Sequence, residues 1–140
     1  MTGQKEYAMD VEELSARGLS LRQKFFGEAD VQKRMQAAGD FGAPLQHIIN
    51  AYVYGDVWSR DGISNDVRSL VMLAMTAATG RTAEFRVHAK GAKANGCTLP
   101  QIQNVLLLIA MYCGIPAAIE PHQIVAEIFG SDAIQPEEKK

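Results

Sequence analysis

Arg81, Glu84, His88, Gly91 and Asn95 follow one another at intervals of three and four residues. On an α-helix each residue turns by about 100°, so these five fall within a strip of about 80°. A cation, a carboxylate, an imidazole and an amide on one face are the groups that move protons and hold acids. Glu84 and His88 stand at i and i+4, where the carboxylate can reach the ring, fix its tautomer and raise its basicity. Gly91 lowers helix propensity by about 1 kcal/mol relative to alanine, a loss that close packing or room for a ligand would justify. A solvated helix face with an ordinary surface ion pair has the same spacing, and such a pair stabilises little.

Other residues offer different chemistry. Arg60 and Arg68 lie near Trp58 in sequence, and a guanidinium fork there can grip a substrate carboxylate bidentately. Tyr52, Tyr54 and Trp58 can form an aromatic cleft wall, although helical spacing sends at least one of them into the core. Met72, Met75 and Met111 also read as core. The three histidines, His47, His88 and His122, come without an HExxH motif or paired cysteines, so no metal site is expected. Cys97 and Cys113 have no CxxC spacing. Either is open to nucleophilic chemistry, buried inert thiols are the commoner outcome, and no standing disulfide is expected.

The elements that must position these groups are helical. A chain of 140 residues with 47% hydrophobic and 21% charged content suits one domain with one core. The formal net charge of -2 provides no field for polyanions, which makes nucleic acid a poor partner. The opening MTGQKEYAMD has neither the basic nor the apolar region of a signal peptide, and the longest apolar run, 105–113, is too short to span a bilayer. A cytoplasmic protein away from the membrane is expected.

Asp10 with Glu13 can form a capping box for a helix that runs to Phe26 and closes at Gly27. A short helix is predicted over 30–38. Over 44–56, Leu45, Ile48, Ile49, Tyr52 and Val53 recur with the period of an amphipathic helix. After the loop WSRDGIS, the Ser64 hydroxyl can cap a helix over 65–79, with Gly80 past its end. Further helices are predicted from Thr82 to Gly96, over 102–112 after the Thr98 and Gln101 capping pair, and from Pro116 to Phe129, where Pro121 can introduce a kink. The reading is an all-α, compact domain of about six to seven helices, its core over about 10–130 and a charged tail over 131–140. The stretch NVLLLIAMYC is apolar nearly all round, which places it centrally or in a subunit interface and favours a homo-oligomer.

The blocks YGDVWSRDGIS, RSLVMLAM, GRTAEFRVHAKGAKANG and YCGIPAA occur in one order without a large insertion. They resemble consecutive blocks of the gamma-carboxymuconolactone decarboxylases, from about the first helix to Phe129. The resemblance implies an all-helical fold related to the alkylhydroperoxidase D-like proteins, assembled as trimer-based rings, commonly hexamers. It also implies loss of carbon dioxide from gamma-carboxymuconolactone or a related lactone or keto acid, in aromatic-compound breakdown through the beta-ketoadipate pathway. No cofactor is implied, because the substrate is its own electron sink. In this scheme His88 is the proton donor, and Glu84 orients and tunes it. Arg68 and Arg81 grip the substrate carboxylates or the developing oxyanion, and Asn95, Trp58, Tyr112 and His122 are further substrate-binding candidates.

This chain departs from the family pattern at several positions. Leu108 stands where the decarboxylases carry a histidine four residues before the tyrosine of the YCG block. Gln123 stands where they carry a second histidine, with His122 beside it, and Gln101 and Asn104 occupy the region of an acidic residue. The exact substrate is thus left open. Two other readings remain: a thiol-dependent, peroxidase-like redox protein using Cys113 or Cys97, although the CxxC pair of those relatives is missing, or an oligomeric binding protein that kept the fold and lost the site.

Overall fold

The structure, a computed structural model, describes residues 9–133. The chain falls into two compact units, Met1–Ile63 and Ser64–Lys140. All regular structure among the described residues is helical, as the sequence predicts.

The N-terminal unit contains α1 (Val11–Phe26) and α2 (Glu28–Ile48), followed by a π-helical segment (Ile49–Asp56) and a 3-10 turn (Val57–Ser59). Asp10 caps α1, its carboxylate accepting from the Glu13 amide at 2.8 Å. Within α2 the backbone at Gly39 leaves the helical region, with φ 58° and ψ -163°. Such a conformation suits a residue without Cβ. That break explains why the sequence predicts a helix ending at Ala38.

The helix predicted over 44–56 is only half right, because from Ile49 onward it widens into the π form. The widening accompanies a very close crossing of α1. A Cβ added at Gly18 would overlap the carbonyl oxygen of Asn50, and one added at Gly55 would overlap that of Leu14. Backbone therefore lies directly on backbone. The Arg17 guanidinium fastens the crossing, its Nε and Nη2 both donating to the Gly55 carbonyl. Beside it, Trp58 stacks on Tyr54 with ring centroids 5.7 Å apart, and Phe25 meets Trp58 edge-on at 5.4 Å. Tyr54 and Trp58 are thus core residues of this unit, and Tyr52 is exposed.

The C-terminal unit is built from α3 (Asn65–Ala78), α4 (Thr82–Ala94), α5 (Leu99–Cys113) and α6 (Ile115–Phe129), with a closing 3-10 turn (Gly130–Ala133). Its core joins Leu73, Phe85, Ala89, Ile102, Leu106 and Ile124, all nearly inaccessible. Thr98 and Gln101 form the predicted capping box of α5. Ser64 occupies the cap position of α3 but makes no side-chain cap bond there. Its hydroxyl instead bonds the Asp66 carboxylate, whose pKa it lowers. Helix α6 continues through Pro121, which is buried.

Helix α5 buries only one face, through Ile102, Leu106 and Ile109. Leu107, Leu108, Met111 and Tyr112 are exposed, Tyr112 at 86%. A central position within the chain, one of the two predicted for this apolar helix, is therefore ruled out. Met75 and Met111, expected in the core, are likewise exposed. The part of the expected charged tail over 134–140 lies outside the described residues. No described helix is long and apolar enough to cross a membrane.

Candidate functional site

Helix α4 carries the polar strip, and its neighbours decide how that strip is presented. On one side of α4, Arg86 pairs with Glu127 of α6 at 2.7 Å, and the Lys93 ammonium donates to the Ile128 carbonyl at 3.2 Å. On the other side α4 lies against α3, where Asn95 Nδ2 donates to Ser69 Oγ at 3.0 Å. Ser69 is 1% exposed and His88 8%. Gly91 is also buried, so the C-terminal half of the strip turns inward. A merely solvated helix face does not describe it.

The N-terminal half behaves differently. Arg81 and Glu84 are exposed, and Glu84 makes no hydrogen bond or ion pair among the described residues. The expected Glu84 to His88 contact is not formed. Residues four apart on a helix differ by about 40° in facing, and here that angle spans the boundary between the covered and solvated sides. Glu84 instead sits in the first turn of α4, where a negative charge is favoured by the helix dipole. Arg68, half-buried on α3, donates from Nη1 to Asn65 Oδ1 at 2.9 Å.

The remaining expected site residues are not gathered around His88 within this unit. His122 bonds the Ala118 carbonyl of its own helix through Nδ1 at 2.7 Å, which makes Nδ1 the protonated nitrogen. It lines a hollow of about 490 Å³ together with Leu99, Gln103, Val125 and Asp132, and no strip residue shares that lining. Tyr112 and Cys113 border an apolar groove of about 560 Å³ between α3 and α5, lined also by Val71, Met75 and Leu108. Leu108, where the family pattern has histidine, thus continues an apolar surface. Trp58 belongs to the aromatic core of the N-terminal unit.

Ser69 is the site residue that the sequence reading missed. With Leu73 and Thr76 it follows the i, i+4, i+7 spacing of the buried face of α3, and a hydroxyl on such a face signals a specific partner. Both cysteines are free thiols. Cys97 is buried, with its Sγ donating to the Asp66 carbonyl at 3.3 Å. Burial, with the nearby Asp66 charge, pushes its thiol pKa up, the direction opposite to that of a reactive thiolate. Among the described residues no three His, Cys, Asp or Glu side chains cluster as metal ligands do.

The chain is 33% identical over 129 residues to a 4-carboxymuconolactone decarboxylase of Acinetobacter baylyi, covering 92% of this chain and 96% of that protein. It is also 33% identical over 103 residues to a nitrosuccinic acid decarboxylase of Metarhizium robertsii, covering 74% and 72% respectively. The model of the Carboxymuconolactone decarboxylase family matches residues 43–125, which span the π segment, the His88 strip and most of α6. The chain belongs to the carboxymuconolactone decarboxylase family.

Proposed function

We propose that this chain decarboxylates a succinate whose C2 carries a conjugating electron acceptor. The observation carrying this reading is the likeness to two decarboxylases named for different acids. In 4-carboxymuconolactone the carbon bearing the carboxylate also bears a carboxymethyl arm, and the ring alkene links it to the lactone carbonyl. In nitrosuccinic acid the corresponding carbon bears a carboxymethyl arm and a nitro group. Each acid is thus a succinate with an electron sink attached to the carbon that loses carbon dioxide.

The reaction breaks the bond from that carbon to the carboxylate, and the electron pair moves onto the acceptor oxygen as carbon dioxide leaves. A proton must then be delivered to carbon, at the former acid carbon of the nitro compound or at the far alkene carbon of the lactone. His88, held in a largely water-excluded position on α4, is assigned as that donor. Ser69 fixes Asn95 two turns along the same strip. Arg68 and Arg81 are assigned to the carboxylates and the developing oxyanion. The exposed apolar face of α5 supports a homo-oligomer.

The test offers the protein freshly generated 4-carboxymuconolactone, nitrosuccinate and unsubstituted succinate, and follows carbon dioxide release. Turnover of at least one activated acid with none of succinate is expected. Failure to turn over either activated acid would sink the proposed substrate class.

A further inference from the structure

We propose that the N-terminal unit holds a second binding element, a carboxylate site whose floor is the Arg22 guanidinium. Arg22 lies on α1 and is only 5% exposed. Both of its hydrogen bonds leave from Nη1, to Gln46 Oε1 at 2.8 Å and to Asn50 Oδ1 at 3.1 Å. These acceptors are neutral amides, and no carboxylate among the described residues pairs with Arg22. A buried cation without a counter-charge is strongly unfavourable, which is why such groups are nearly always paired.

The surroundings do not supply the missing charge. Arg34, the other charged neighbour acting on Arg22, is itself a cation, and burial together with Arg34 pushes the Arg22 pKa down. Tyr54 could neutralise Arg22 only as a phenolate, and burial raises its pKa, so at neutral pH it is an uncharged phenol. A guanidinium nevertheless keeps its proton throughout the working range. The positive charge therefore stands unmatched among the described residues.

The open donors also point the right way. A guanidinium presents five N–H groups in a planar fork, and here Nε and Nη2 make no hydrogen bond among the described residues. No side-chain nitrogen or oxygen among the described residues is both sealed from solvent and unpartnered. Nε and Nη2 consequently keep contact with solvent, from which a small anion can reach them. Parallel N–H groups on one edge of a guanidinium match the two oxygens of a carboxylate, with the Arg34 cation adding attraction. A small carboxylic acid is the ligand this arrangement fits.

The experiment uses the full chain and succinate as the probe, with sodium chloride at matched ionic strength as the control. Succinate is expected to raise the melting temperature in a saturable way, and Arg22→Met is expected to abolish that rise. Arg34→Gln, a change at an exposed residue, should weaken succinate binding several-fold, and it carries the test if Arg22→Met does not fold. Equal effects of succinate and chloride, or an undiminished succinate effect in Arg22→Met, overturn the site. An unchanged affinity in Arg34→Gln overturns it where Arg22→Met is unfolded.

Discussion

His88→Gln is expected to lower kcat on the activated acid by about 10²- to 10⁴-fold, the usual contribution of a positioned general acid. Glutamine retains polarity and much of the volume but cannot deliver a proton. The choice of substitution matters because His88 is 8% exposed. Alanine would leave a cavity beside α4 and mix a stability loss with a chemical one. With glutamine the melting temperature should move by only a few degrees, equivalent to about 1 kcal/mol in a chain of this size. A kcat within threefold of the parent protein would remove His88 from the chemistry, because no proton donor in the rate-determining step is so dispensable.

Gly18→Ala should cost the N-terminal unit a large share of its stability. Helix propensity alone favours alanine by about 1 kcal/mol at such a position. Sterics oppose it, since the new Cβ would overlap the Asn50 carbonyl of the π segment. Backbone cannot change rotamer to make room, so the crossing must open, and a net loss of about 3 kcal/mol or more is expected from overpacking of this kind. Urea unfolding followed by the fluorescence of Trp58, the one tryptophan of the chain, reads the relevant unit directly. A midpoint unchanged or raised would mean that α1 and the π segment can separate without loss.

The contrast between the two units explains how far the sequence could be read. In the C-terminal unit the helices are punctuated by local chemistry, with Gly80 and Gly114 at positive φ and a complete capping box at Thr98. Their boundaries follow from residues close in sequence. The π segment follows from a tertiary contact instead. Leu45 and Ile48 at the end of α2 and Tyr52 and Val53 in the π segment recur with a helical period, yet all four are exposed. The face actually covered is that of Asn50, Ala51, Tyr54 and Gly55, where small size rather than hydrophobicity admits α1. Hydrophobic periodicity has no means of marking such a face.

The candidate site was legible to a similar extent. Spacing placed His88, Gly91 and Asn95 on one face, and they do turn inward together. The same spacing suggested a Glu84 to His88 bond, but His88 is buried while Glu84 stays exposed, a difference in setting that spacing alone does not reveal. Ser69 was invisible because its partner, Asn95, lies on a different helix. Arg22 was passed over because a lone arginine on an amphipathic helix normally projects into water, and only the packed unit reveals its burial.

The unequal settings of the two thiols give this protein a clock for its own breathing. Cys113 is exposed at the end of α5 and should react with a thiol reagent far faster than Cys97. Cys97 is sealed, and its Sγ ties the turn after α4 to the first turn of α3 through Asp66. Its modification must await a local opening in which that turn lifts away. The ratio of the slow labelling rate to that of the denatured chain then measures how seldom the C-terminal unit opens. Denaturant should accelerate only the Cys97 phase, and two equally fast phases would mean that the turn is already loose in the native protein.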